Sequence, residues 1–199
     1  MTARILSVVF HPLLMTTYLF AILSFYFPMM LLPLRPSFAF LGLISLMTFI
    51  LPLLNFFFFR TTGTISNFTL PERQQRILPF FFISILYCVV TFLFYWKVAV
   101  PNITKLLMII SALVVISAVI TLTYKISVHA VAVWGVSGII LPLNKVSEGS
   151  LLIPTVVLIV IAGSVMSSRL SLNAHTPREV MVGSMVGFGI SFAGMLILF

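Results

Sequence analysis

Apolar stretches long enough to cross a bilayer alternate along this chain with short polar joints, and the joints hold nearly all of the charge. Seven runs stand out: Ile5 to Pro28, Phe38 to Phe59, Ile77 to Trp96, Leu106 to Tyr124, Val128 to Leu143, Leu151 to Ser167 and Val180 to Phe199. A hydrocarbon layer of about 30 Å takes roughly 20 such residues, and lipid offers backbone groups no partners, so each run is predicted to be a helix. The fifth run, at 16 residues, is the shortest. The stretch Leu106 to Leu143 would reach about 57 Å as one helix, nearly twice the layer, so it must turn back once. Lys125 is the charged residue inside that stretch, which places the reversal at Lys125-Ile126-Ser127. The expected fold is an all-α polytopic transmembrane bundle of six to seven spanning helices, in one integral membrane domain.

Composition agrees with the pattern and narrows the function. Hydrophobic residues make up 61% of the 199 positions, mean hydropathy is +1.27, and the charged side chains are 11 Lys or Arg and 3 Glu. A soluble domain carries about 25% charged residues, so a soluble globular protein, a disordered chain and a nucleic-acid binder are excluded despite a net charge of +8. The lone cysteine, Cys88, sits in an apolar run, which leaves no intrachain disulfide and no cysteine-based metal site. No small-x-small cleavage signal follows the first run, so a retained helix is expected there rather than a signal peptide.

Counting crossings puts Arg4, the segment Arg60 to Arg76, Lys125 and the segment Arg169 to Glu179 on one side, and Arg35, Lys97, Lys105 and Lys145 on the other. The positive-inside rule would make the first side cytoplasmic. Setting aside basic residues that bind an anion would remove that asymmetry. The expected location is the cytoplasmic (inner) membrane of a bacterium.

Three polar clusters share that one side. In Glu72-Arg73-Gln74-Gln75-Arg76-Ile77-Leu78-Pro79, two guanidiniums at i, i+3 would share a helix face if the helix starts this early. Their forks suit phosphate oxygens, although a basic anchor at the membrane edge explains them as well. In Lys125-Ile126-Ser127-Val128-His129, Ser127 is placed to cap the fifth helix, where backbone N–H groups and the helix dipole favour an anion. A capped turn with a snorkelling Lys is the plainer explanation.

The third cluster runs from Ser168 to Glu179. Thr176-Pro177-Arg178-Glu179 reads as a helix start with Thr as N-cap, Pro at the first position and Glu at the third, a capping box. The Glu179 carboxylate, four residues after His175, could also accept a ring N–H and fix the tautomer, so that the other nitrogen serves as nucleophile or base.

Ser168-Arg169, five residues, His175, three residues and an acid, followed by Val180, Gly183 and Gly187, resembles the third signature of the type 2 phosphatidic acid phosphatase superfamily, Ser-Arg-x5-His-x3-Asp. Ser127-Val128-His129 is similar to its second signature, Pro-Ser-Gly-His, reduced to the Ser and the His. Arg73, Arg76 and Pro79 offer the chemistry of its first signature, Lys-x6-Arg-Pro, without the spacing. Glu179 stands where the family has Asp, and Ile126 and Val128 where it has Pro and Gly. The resemblance covers Glu72 to Gly187, within a phosphatase-like core of about residues 72–199.

This resemblance implies a metal-independent phosphatase that uses no cofactor. His175 would be the nucleophile, Glu179 its orienter and His129 the general acid, while Arg169, Ser127, Lys125, Arg76 and Arg73 would hold phosphate. The expected substrate is a lipid phosphate or diphosphate, phosphatidic-type or polyprenyl, whose tails stay among the membrane lipids. The alternative is a non-catalytic carrier or binder of anionic lipid or phosphate. A His-based metalloenzyme is disfavoured by three widely separated His, no Asp and no His-Glu-x-x-His.

Two smaller features have structural explanations. Gly183, Gly187 and Ser191 recur every four residues, a small-residue face for close helix packing. His11, before Pro12, lies on the side of the three clusters and reads more simply as a packed or interfacial His than as a group of the site.

Overall fold

Helices fall in every predicted apolar run of the computed structural model, which describes residues 2–31, 38–67, 70, 72–98, 100–144 and 152–199. The helices are α1 (Thr2–Val9), α2 (Pro12–Tyr26), α3 (Phe38–Ser45), α4 (Leu51–Thr61), α5 (Arg73–Leu93), α6 (Pro101–Thr123), α7 (Val128–Leu143), α8 (Leu152–Ser171) and α9 (Pro177–Leu198). A π-helical turn, Leu46–Ile50, joins α3 to α4, and another, Phe94–Val98, prolongs α5. Arg35, Lys145 and the first residue of the sixth run, Leu151, lie outside the described residues.

Among the described residues five helices are long and apolar enough to cross a membrane, or six if the broken pair Thr2–Val9 and Pro12–Tyr26 makes one crossing. The protein is therefore an all-helical membrane protein. The helix Val128–Leu143 has the predicted bounds and is shorter than these spans. Tyr124 to Ser127, around the predicted reversal, is non-helical.

The structure departs from the sequence pattern at several ends. The first run is not one helix: it breaks at Phe10 and His11, because Pro12 has no N–H to donate and its ring crowds the carbonyl four residues back. The third helix begins at Arg73 rather than Ile77, so both arginines of the first cluster lie in its first turn. The last helix begins at Pro177 on the Thr176 cap, ahead of the apolar run at Val180. Hydropathy marks where lipid begins, whereas capping groups mark where the helix begins.

The described residues form two compact units. One comprises residues 16–125 and holds α3 to α6 with most of α2. Its helices are tied by buried polar side chains: Tyr87 Oη donates to the Thr48 carbonyl at 2.9 Å, and the Thr91 and Ser111 hydroxyls pair at 2.7 Å. Such bonds hold helices together where surrounding lipid removes any hydrophobic drive. At one end Arg76 Nε donates to the Leu70 carbonyl at 2.8 Å. Leu70 has φ 45°, an uncommon value for a residue with a Cβ, and its side chain packs with Phe59 and Ile65.

The other unit comprises residues 1–15 and 126–199, and holds α1, α7, α8 and α9. Here α7 packs against α8 and α9, and α1 against α8. The small-residue face of α9 does the work expected of it. A Cβ on Gly183 would stand 2.7 Å from the Ser127 carbonyl oxygen, and one on Gly187 would overlap the Val131 carbonyl. On α7, a Cβ at Gly138 would come within 2.7 Å of the Phe188 carbonyl oxygen. Glycines on both helices thus let the two backbones nearly touch, which fixes the start of α7 beside the first turns of α9.

Candidate active site

The link from α8 to α9 sets the third cluster. Arg169 lies in the last turn of α8. Beyond it the Asn173 amide donates to the Leu170 carbonyl at 2.9 Å and the Ala174 amide to the Arg169 carbonyl at 3.2 Å. This is a Schellman ending with Asn173 in the left-handed position, φ 50°, a conformation that Asn tolerates better than most residues. One residue later comes His175, and Thr176 starts α9. The Glu179 amide donates to Thr176 Oγ1 at 3.3 Å and the Thr176 amide to Glu179 Oε2 at 3.3 Å, which completes the predicted capping box. A helix end, a three-residue turn and a cap account for the spacing of Arg169, His175 and Glu179.

The same Glu179 oxygen takes the hydrogen of His175 Nδ1 at 2.7 Å. A carboxylate only accepts, so the proton sits on Nδ1 and the ring's orientation is fixed. The His175 side chain is 1% exposed and that of Glu179 15%. Glu179 thus has both roles that the sequence allowed, helix cap and histidine partner.

At the start of α7 the Ser127 amide donates to the Glu179 main-chain carbonyl at 3.2 Å, joining the second cluster to the third. Ser127 occupies the N-cap position, but its hydroxyl makes no capping bond, contrary to the expectation from sequence. Its amide donates to α9 and its side chain is fully buried. Two residues on, His129 Nε2 meets the Ser7 carbonyl at 3.1 Å. Arg169 Nη1 donates to the Ser7 hydroxyl at 3.4 Å. His11 stands edge-on to His129, ring centroids 5.7 Å apart.

Ser127, His129, Arg169, His175 and Glu179 therefore form one connected constellation inside a single unit. Three of its polar atoms, Ser127 Oγ, His129 Nδ1 and Arg169 Nε, are buried and find no hydrogen-bond partner among the described residues. Buried polar atoms are paired in the great majority of cases, and here a guanidinium nitrogen, a hydroxyl oxygen and an imidazole nitrogen of the motif residues are unpaired. That donor set fits an oxyanion such as phosphate. Among the described residues no group of three or more His, Cys, Asp or Glu side chains could hold a metal ion.

The remaining candidates lie in the other unit. Arg73 Nη1 donates to the Thr121 carbonyl at 3.2 Å and also to the Leu122 carbonyl, at the end of α6. Arg76 supports Leu70, as described above, and Lys125 is half-buried in the link after α6. Sequence reasoning passed over Ser7 and gave His11 a bland role. Neither belongs to a motif, and no spacing rule links residues 7 and 11 to residues 129 and 169. The His-Pro pair was the available sign that the first run would break.

Fold and site together define a helical membrane protein with a histidine–carboxylate pair beside an arginine. The family model described as PAP2 superfamily matches residues 126–199, in agreement with the resemblance carried by the third motif. The matched segment holds the third cluster and the second from Ile126 onward, and it begins where the chain re-enters the unit that also contains residues 1–15. Members of that superfamily are phosphatases. Searches among curated proteins and among solved structures found no match.

Proposed function

We propose that this protein is an integral lipid-phosphate phosphatase of the bacterial cytoplasmic membrane, working through a phosphohistidine and without a metal. The observation that carries this reading is the trio of unpaired buried atoms, Ser127 Oγ, His129 Nδ1 and Arg169 Nε, together with the His175–Glu179 pair in the same unit. In the first step the His175 nitrogen turned away from Glu179 forms a bond to phosphorus as the bond from phosphorus to the leaving oxygen breaks. His129, as imidazolium, gives that oxygen its proton, and Glu179 balances the charge that develops on His175. Water then attacks the phosphohistidine, its proton passes to His129, and inorganic phosphate leaves. Arg169 and Ser127 hold the equatorial oxygens. Joints this short offer little surface to a water-soluble substrate, which favours a phosphatidic-type or polyprenyl phosphate or diphosphate.

Phosphate release by purified protein from phosphatidate, phosphatidylglycerol phosphate and undecaprenyl diphosphate, in detergent with EDTA, tests the reading. Turnover is expected on at least one substrate and is expected to disappear in His175→Ala. Turnover that survives His175→Ala, or none on any substrate, refutes the mechanism, and loss of activity in EDTA refutes metal independence. The broken first helix pair supports a second reading, a carrier of the same lipids, since carriers bind at interrupted helices. Saturable binding of these lipids without hydrolysis would favour it.

A further inference from the structure

The break between α1 and α2 leaves a main-chain carbonyl with a partner that an unbroken helix would not give it. In a continuous helix the His11 amide would donate to the Ser7 carbonyl and residue 12 to the Val8 carbonyl. Residue 12 is proline and has no N–H. The His11 amide donates to the Val8 carbonyl instead, at 3.3 Å. The Ser7 carbonyl faces His129 Nε2, 3.1 Å away.

A carbonyl oxygen only accepts, so this contact requires hydrogen on His129 Nε2. In the neutral ring the lone pair then lies on Nδ1, which is buried and has no partner among the described residues. The neighbouring His11 is set in the same way by the break: its Nδ1 accepts the Leu13 amide at 3.4 Å, which puts its own hydrogen on Nε2. Both histidines are thus oriented by main-chain groups around Pro12, all of it outside the segment that matches the family.

We propose that Ser7 is a positioning residue: its carbonyl, released from the helix by Pro12, holds His129 as the Nε2–H tautomer, so that the proton given to the leaving oxygen departs from Nδ1. This rests on the reading of His129 as general acid. In that step His129 begins as imidazolium with Nε2–H on the Ser7 carbonyl. As the bond from phosphorus to the leaving oxygen breaks, the oxygen's electron pair takes the proton from Nδ1, leaving the neutral Nε2–H ring. The hydrolytic step returns a proton to the same nitrogen. Ser7 touches no reacting atom and acts through the ring it orients.

The test uses the full-length protein labelled with 15N-histidine in detergent, at a pH where histidine is neutral. His129 is assigned by the signal lost in His129→Gln. Its Nδ1 is expected to show the shift of a lone-pair nitrogen and its Nε2 that of a protonated one. The opposite tautomer overturns the proposal. Pro12→Ala returns an N–H to the Val8 carbonyl and frees the His11 amide to compete for Ser7. It is expected to mix the His129 tautomers and to lower kcat about tenfold with KM changed less than about twofold. Ser7→Ala keeps the carbonyl and should leave the tautomer as it is. A tautomer ratio or a kcat that Pro12→Ala leaves unchanged also overturns the proposal. If the wild-type protein releases no phosphate, the phosphatase reading fails by itself, while the spectra still decide the tautomer.

Discussion

The Ser127 amide donates to the main-chain carbonyl of Glu179 at 3.2 Å, and the Glu179 carboxylate holds His175 at 2.7 Å. One residue of α9 therefore carries the nucleophile candidate on its side chain and the start of α7 on its backbone. Any change that moves the first turn of α9 moves both histidines of the proposed mechanism relative to a bound phosphate.

Glu179→Gln keeps the size of the side chain and removes its charge. An amide oxygen can still accept from His175 Nδ1, but it does not balance an imidazolium. We expect kcat for phosphate release to fall roughly 100-fold with a small change in KM. Glu179→Asp should retain more activity than Gln, because charge is kept while reach is shortened. Equal activity in the Gln variant and the wild type would contradict the orienting role.

Thr176→Ala removes the acceptor of the Glu179 amide at the start of α9. Loss of an N-cap of this kind costs about 1 kcal/mol. A lower midpoint of thermal unfolding in detergent is expected, with a fall in kcat, since the same box sets the Glu179 carboxylate. Thr176→Ser should restore both.

Gly187→Ala places a methyl group against the Val131 carbonyl of α7. Overpacking of this sort costs about 1–3 kcal/mol, and it falls on the contact that sets Ser127 beside α9. Gly189, two residues away, has nothing within 4 Å of an added Cβ. Gly189→Ala should be neutral or slightly stabilising, because alanine favours the helix by up to about 1 kcal/mol. Unfolding midpoints of the two variants, measured side by side, separate packing from propensity.

Arg169→Lys and Arg76→Lys should differ in what they change. Arg169 presents an unpaired buried Nε and shares Ser7 as a partner with His129, and a lysine has no fork with which to hold two phosphate oxygens. We expect kcat/KM to fall at least about tenfold with the fold intact. Arg76 donates Nε to the carbonyl of Leu70, a residue with φ 45°, so its replacement should show first as lower stability. Substrate kinetics and thermal unfolding on both variants provide the comparison.

The motif residues illustrate how far local rules reach. Thr176, Pro177 and Glu179 specify a helix start by capping alone, and the box forms as their spacing predicts. His175 and Glu179 meet because i, i+4 neighbours on adjoining turns are close. The break near Lys125 follows from length against the thickness of a bilayer. Other features were open in the sequence. Ser127 fills the N-cap position without capping, because its surroundings are made by α9 and not by its own helix. Arg73 and Arg76 have the chemistry of phosphate ligands, and the structure shows both donating to backbone carbonyls of their own unit.

By itself the sequence determined the solvent, the helices and the third motif, since each follows from interactions within about a turn or from hydropathy over some 20 residues. Only the tertiary structure decided which distant groups complete the site. Ser7 reaches His129 across 122 positions and Arg169 across 162, through a carbonyl and a hydroxyl that no pattern distinguishes from any other. Those contacts depend on Pro12 interrupting one helix and on glycines drawing two others together, and such long-range placement is set by packing rather than by the order of residues.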